Sequence, residues 1–235
     1  MASLQNAPDL YGAVTAAGTS RAEIQAPDRR RVYSLAVTAP ATTSPNGAAA
    51  VAAAGQPSYW SASLEALAAG RSVLAGEDGL VFLDDADQDA QRLFVVSAGN
   101  VRSWHPGEQH LDRSDLEPAE DPAQAWNVLT VGAYTELGSM TGAAADFAGW
   151  TPWAPRGELS PFSRTSMAFS RAWPVKPDVV LEGGNVAWSP DGTLFDTPLN
   201  LQLLTTNAPL GTTRLLTTTH ATIAATAQAA ACRRR

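Results

Sequence analysis

Apolar residues fall into short runs separated by polar, Gly- or Pro-containing stretches, which is the pattern of brief strands alternating with helices. Val32 to Thr38 (VYSLAVT) is an apolar run bounded by Arg and Pro and reads as a strand. Pro40 to Gln56 is a low-complexity loop of Ala, Thr, Ser, Pro and Gly. In Ser58 to Ala69 (SYWSASLEALAA), Trp60, Leu64 and Leu67 recur at i, i+4 and i+7, predicting a helix that Gly70 stops. Arg92–Val96 (RLFVV) and Trp126–Val131 (WNVLTV) read as buried strands. Val175–Val180 (VKPDVV) begins a third, with Pro177 confined to an end or an edge. Gly76–Ala90 is acidic and reads as a solvated excursion, and Asp196–Thr218 as a long loop holding short β pieces. Ala221–Cys232, nearly all Ala, predicts a final helix. Residues 1–30 mix turn formers with Arg and give no clear element, and no internal repeat is visible.

Alternating strands and helices imply an α/β fold of three layers, a mainly parallel sheet flanked by helices. The expected organisation is an N-terminal segment 1–30, a main domain 31–232 and a basic tail 233–235.

Composition narrows the function. Apolar residues make up 45% of the 235 positions and charged residues only 17%, so the chain can bury a core and lacks the signature of disorder. The net charge of −7 argues against a nucleic-acid phosphate backbone or an anionic membrane as partner. A single cysteine, Cys232, makes no internal disulfide. Met1 to Gln5 shows no basic region leading into an apolar core, so the expected location is the cytoplasm. Abundant Ala and fifteen Arg against one Lys suggest a GC-rich, bacterial genome.

The segment RLFVVSAGN carries the sharpest chemical signal. An apolar strand ends in small residues and then Asn100, which delivers an amide to the C-terminal edge of a parallel sheet, where α/β sites lie. An amide there can donate to a developing oxyanion without titrating. The plainer reading is a Gly-Asn turn, and these four residues by themselves favour it.

Other segments shift that balance. FVVSAGN resembles the strand of the subtilisin-like serine protease (subtilase) family that ends in the oxyanion-hole Asn. Val32–Thr38 and the Trp60–Ala69 helix resemble the family's substrate-groove strand and the helix after it. Asp121-Pro122-Ala123 through Val131-Gly132-Ala133 resembles its P-A…V-I-T-V-G-A strand, and Leu159–Arg164 (LSPFSR) its L-S-x-F-S segment. Lys176–Val180 through Glu182-Gly183-Gly184-Asn185 resembles the K-P-D-V-x-A-x-G segment. Six pieces occur in the family's order between about Arg31 and Ala231.

The resemblance implies an endopeptidase that works through an acyl-enzyme, with Asn100 in the oxyanion hole and Ala98 and Gly99 lining the pocket for the substrate side chain. Val37 and Thr38 would form the opposite wall. It also implies an Asp and a His before the groove strand. Neither D-[ST]-G nor any His precedes Val32; the histidines are His105, His110 and His220. The chain therefore resembles the C-terminal half of the catalytic domain, incomplete at its N-terminal side. The nucleophile motif G-T-S falls on Ala221-Thr222-Ile223, so Ile223 stands where the serine belongs and offers no oxygen to attack a carbonyl.

Three substitutes for the missing groups are weak. Gly18-Thr19-Ser20 is a literal G-T-S but precedes the groove strand. His220 matches the residue before the motif, not the family His. His105 and His110 lack helical H-E-x-x-H spacing, and the Asp84–Asp89 run lacks EF-hand placement, so no metal or other cofactor is expected. The expectation is an inactive relative acting on peptide or protein, with a separately encoded N-terminal half as a further candidate partner. A non-catalytic peptide-binding or regulatory remnant and one half of a split protease are the alternatives.

Overall fold

The protein is described by a computed structural model covering residues 7–40, 54–76, 79–84, 87, 90–206 and 215–232. A five-stranded sheet forms its centre. β1 (Val32–Leu35), β4 (Leu93–Ser97), β5 (Leu129–Thr135) and β8 (Val179–Glu182) run parallel in that order, and β7 (Glu158–Leu159) adds antiparallel to the end of β5. Registers place Val32 beside Leu93, Val95 beside Leu129 and Val131 beside Val179. Three of these strands start within a few residues of their expected limits; β8 starts at Val179, later than the expected 175, and leaves Pro177 outside the strand.

Alternation along β4 builds two cores, because successive side chains point to opposite faces. Phe94 and Val96 face α1 (Ala7–Gln25) and α2 (Tyr59–Ala68), packing with Ala16, Trp60, Leu64 and Leu67. Val95 faces α4 (Ala221–Cys232), with Val131, Ala133, Ala225 and Ala229. The result is the expected three-layer α/β arrangement. Ser58 caps α2, accepting from the Ser61 N–H while the Ser61 hydroxyl accepts from the Ser58 N–H.

Helix α1 is the element the apolar pattern missed. Its buried face is Gly12, Ala16 and Thr19, at i, i+4 and i+7, so the helical period is there but is written in small residues. Gly12 makes the crossing possible: a Cβ there would lie 2.6 Å from Ser63 Oγ and 2.7 Å from Leu80 Cδ1. Glu23 anchors the far end of α1, pairing with Arg92 and accepting from the Tyr33 hydroxyl.

Beyond α2 the expected acidic excursion begins with an antiparallel hairpin, β2 (Val73–Gly76) and β3 (Gly79–Phe82). Residues 85, 86, 88 and 89 of the acidic run, most of the 40–56 loop and the basic tail lie outside the described residues. A short helix α3 (His110–Leu116) follows β4. β6 (Thr151–Pro152), β9 (Ala187–Trp188) and β10 (Phe195–Asp196) make a small antiparallel sheet, and β11 (Leu203–Thr206) pairs with β12 (Leu216–Thr219). Among the described residues no helix is long and apolar enough to cross a membrane.

Candidate functional site

Strand β4 ends at Ser97, and Ala98, Gly99 and Asn100 continue beyond the sheet at its C-terminal edge. The LSPFSR segment backs this extension: Asn100 bridges Ser163, the Val101 N–H donates to the Phe162 carbonyl at 2.9 Å, and Arg164 Nε donates to the Asn100 carbonyl at 2.8 Å. On the other side of the Asn, the Ala98 N–H donates to the Val131 carbonyl of β5 at 2.9 Å, so the main chain is held before and after it.

Helix α4 fixes the Asn100 side chain. The Thr222 N–H donates to Asn100 Oδ1 at 3.1 Å, and the Thr222 hydroxyl lies 2.6 Å from the same oxygen. A main-chain N–H can only donate, so the amide orientation is settled, and its Nδ2 has no partner among the described residues. Thr222 Oγ1 also lies 2.6 Å from Ser97 Oγ and 3.1 Å from the Gly99 carbonyl, in a fully buried position. Thr222 therefore joins the start of α4 to the end of β4, and Asn100 is left with donor capacity to offer a ligand.

The residue before Thr222 is bent sharply. Ala221 has φ of 69°, a left-handed conformation that favours Gly, which is the residue type the G-T-S motif places there. Ile223, one step further, is 44% exposed and presents a bare hydrocarbon at the helix start. A left-handed Ala costs about 1–2 kcal/mol, and losing one buried methyl costs about 0.8 kcal/mol. Ala221→Gly should therefore raise stability by about 0.5 kcal/mol, read as a higher urea midpoint at an unchanged slope. A lower midpoint would mean that the Ala221 methyl, packed with Trp153, Phe162 and Val186, outweighs the backbone strain.

The two expected walls converge on one strip of chain. Ala39 and Asp121 exchange main-chain hydrogen bonds at 2.8 and 3.0 Å, and the Glu120 N–H donates to the Ala98 carbonyl at 3.0 Å. Residues 119–121 thus lie between the chain following β1 and the chain following β4. Thr38 points inward, its hydroxyl donating to Glu120 Oε2 at 2.5 Å, whereas Val37 is 67% exposed. Ala98 and Gly99 are buried. Neither Glu120 nor Thr222 stood out in the sequence. Burial of Glu120 depends on a contact with Gly99 twenty-one positions away, and Thr222 is marked in the sequence only as the middle residue of the interrupted motif.

The remaining candidates lie apart from this arrangement. Ser20 is on the exposed face of α1, within a continuous helix rather than at a helix start. His220 leans on Phe162, ring centroids 4.8 Å apart, and burial holds its pKa below the ordinary value. His110 is buried near Glu158, with 3.2 Å between Nε2 and a carboxylate oxygen, and burial lowers its pKa as well. Burial raises the Asp121 pKa, against the opposing hydrogen bonds from Ser58 and Gln124. Among the described residues no three His, Cys, Asp or Glu side chains are gathered as metal ligands.

The family model described as the subtilase family matches residues 1–233, a span that includes α1. No curated protein and no solved structure matches the chain.

Proposed function

The chain belongs to the subtilase family, and on that premise we propose that these 235 residues form the peptide groove and oxyanion site of a subtilisin-like serine endopeptidase without a nucleophile, binding peptides and not cleaving them. The observation that carries this reading is the start of α4. Ala221 adopts the left-handed conformation that favours the Gly of a G-T-S motif and Thr222 holds Asn100 Oδ1, while Ile223 takes the next position. Acyl-enzyme formation requires an oxygen at that position, a base beside it and an amide aimed at the oxyanion. Of those parts the described ends of β4 and α4 supply the amide of Asn100.

The test is chemical. The purified chain should hydrolyse neither casein nor chromogenic peptides above background, and a fluorophosphonate should leave it unlabelled. Labelled peptides should nevertheless bind saturably. Turnover that a fluorophosphonate abolishes would overturn the reading and direct attention to Ser20.

The sheet edge favours a second reading. Among the described residues β1 pairs with β4 alone, so its outer edge carries main-chain donors and acceptors free to take another strand. In this reading the chain is one half of a split protease, and a separate polypeptide carrying the Asp and His docks along β1 by strand addition.

A further inference from the structure

Between the chain following β1 and the chain following β4 lies a carboxylate that is almost wholly out of water. Glu120 is 1% exposed. A Cβ built on Gly99 would fall 2.7–2.8 Å from Glu120 Oε2, Cβ and Cγ, so the Gly99 backbone rests directly on the acid. From the other wall comes the Thr38 hydroxyl at 2.5 Å. Two guanidinium groups complete the shell. Arg102 Nη1 donates to Oε1 at 2.5 Å and its Nη2 to Oε2 at 3.0 Å, while Arg164 Nη2 lies 3.4 Å from Oε1.

The two arginines are not equivalent. The Arg164 side chain is 10% exposed and is held elsewhere too, by the Asn100 and Pro118 carbonyls and by Glu117 at 2.7 Å. The Arg102 side chain is 55% exposed, and its hydrogen bonds among the described residues go to Glu120 alone. Arg164 is a fixed part of the frame, and Arg102 is a removable cover.

We propose that Glu120 is the specificity-determining residue of the groove, receiving the guanidinium of a peptide arginine in exchange for that of Arg102. This rests on the groove reading above. A buried carboxylate has to stay paired, since an isolated one is strongly disfavoured. Exchange of one guanidinium fork for another keeps both carboxylate oxygens satisfied and returns Arg102 to water. Lysine fits less well, because an ammonium is a point charge without the matching fork. An apolar side chain offers Glu120 nothing and leaves Arg102 in place, and an acidic one meets like charge.

Anisotropy of short labelled peptides that differ at one central position (Arg, Lys, Leu or Glu) tests this against the chain and its Arg102→Ala and Glu120→Gln variants. The Arg peptide should bind about tenfold or more tighter than the Leu peptide, the scale of one charge-assisted pair. Removing the internal competitor in Arg102→Ala should tighten the Arg peptide by about tenfold, by the same scale, and leave the Leu peptide unchanged. Glu120→Gln should erase the difference. All peptides binding alike would leave the groove standing and overturn the role of Glu120, as would a preference for Glu. Binding of none would remove the groove reading itself. Because Glu120→Gln leaves two arginines facing a neutral amide and can cost the fold, benzamidine titration of Arg102→Ala by calorimetry is the second readout. Its amidinium offers the same fork, so saturable binding tighter than in the unaltered chain is expected; equal or absent binding overturns the proposal.

Discussion

Peptide hydrolysis should appear when Ile223→Ser and Ala221→Gly are combined with a subtilase segment supplying the Asp and His, and should stay at background in the double variant by itself. The helix that follows Ile223 is built of small residues, with Ala224 and Ala225 buried, so the exchange needs no repacking. Serine at the exposed 223 position would stand next to the residue that orients Asn100. Without the family His beside it, the serine has no positioned group to accept its proton at neutral pH. The scale of the gain is set by subtilisin itself, where removing the nucleophile costs about 2 × 10⁶ in kcat. In the revived complex Asn100→Ala should then lower kcat, and for subtilisin the loss of its oxyanion-hole Asn costs about 10²–10³. Chromogenic-peptide assays of the co-expressed halves check both steps. Activity in the double variant alone would reveal a base within this chain, with His220 the first to replace. Silence in an assembled complex would mean the groove has lost more than its nucleophile.

Asn185→Leu should destabilise the fold by about 3 kcal/mol or more, because it strands several buried main-chain groups at about 1–3 kcal/mol each. Asn185 is fully buried. Its Oδ1 accepts from the Ala154 and Val186 N–H groups, and its Nδ2 donates to the Leu137 and Ala154 carbonyls. One side chain therefore ties together three separate loops beyond β5 and β8. Leucine keeps the branched shape with bulkier methyl groups and satisfies none of these groups. Urea denaturation should show a midpoint far below that of the unaltered chain, and a shift within about 0.5 kcal/mol, the range of ordinary surface changes, would show that water replaces the amide.

Much of this architecture was legible because its signals are local. The 94–96 run, the Trp60–Leu64–Leu67 stripe and the Ala-rich final helix each declare their element through period or propensity, and the parallel sheet follows from their alternation. Helix α1 was not legible from apolar periodicity, since Gly12, Ala16 and Thr19 form a contact face too small to register as hydrophobic. The β2–β3 hairpin was hidden by the acidic composition of its surroundings. At the site, Asn100 could be read from the strand that delivers it, and Ile223 from the motif it interrupts. The partners that give them meaning could not. Thr222 reaches Asn100 across more than a hundred positions, and Glu120 is buried by Gly99, Thr38 and two arginines from three different segments. Long-range pairing of polar groups leaves no period in a sequence.

The most direct test joins binding and turnover in one sample. The purified chain is titrated into a labelled Arg-containing peptide to saturation, held for hours at neutral pH, and the peptide is recovered for mass spectrometry. A groove without a nucleophile gives a saturating anisotropy curve and peptide of unchanged mass. Peptide cut at one bond, with cutting blocked by prior fluorophosphonate treatment, would contradict it.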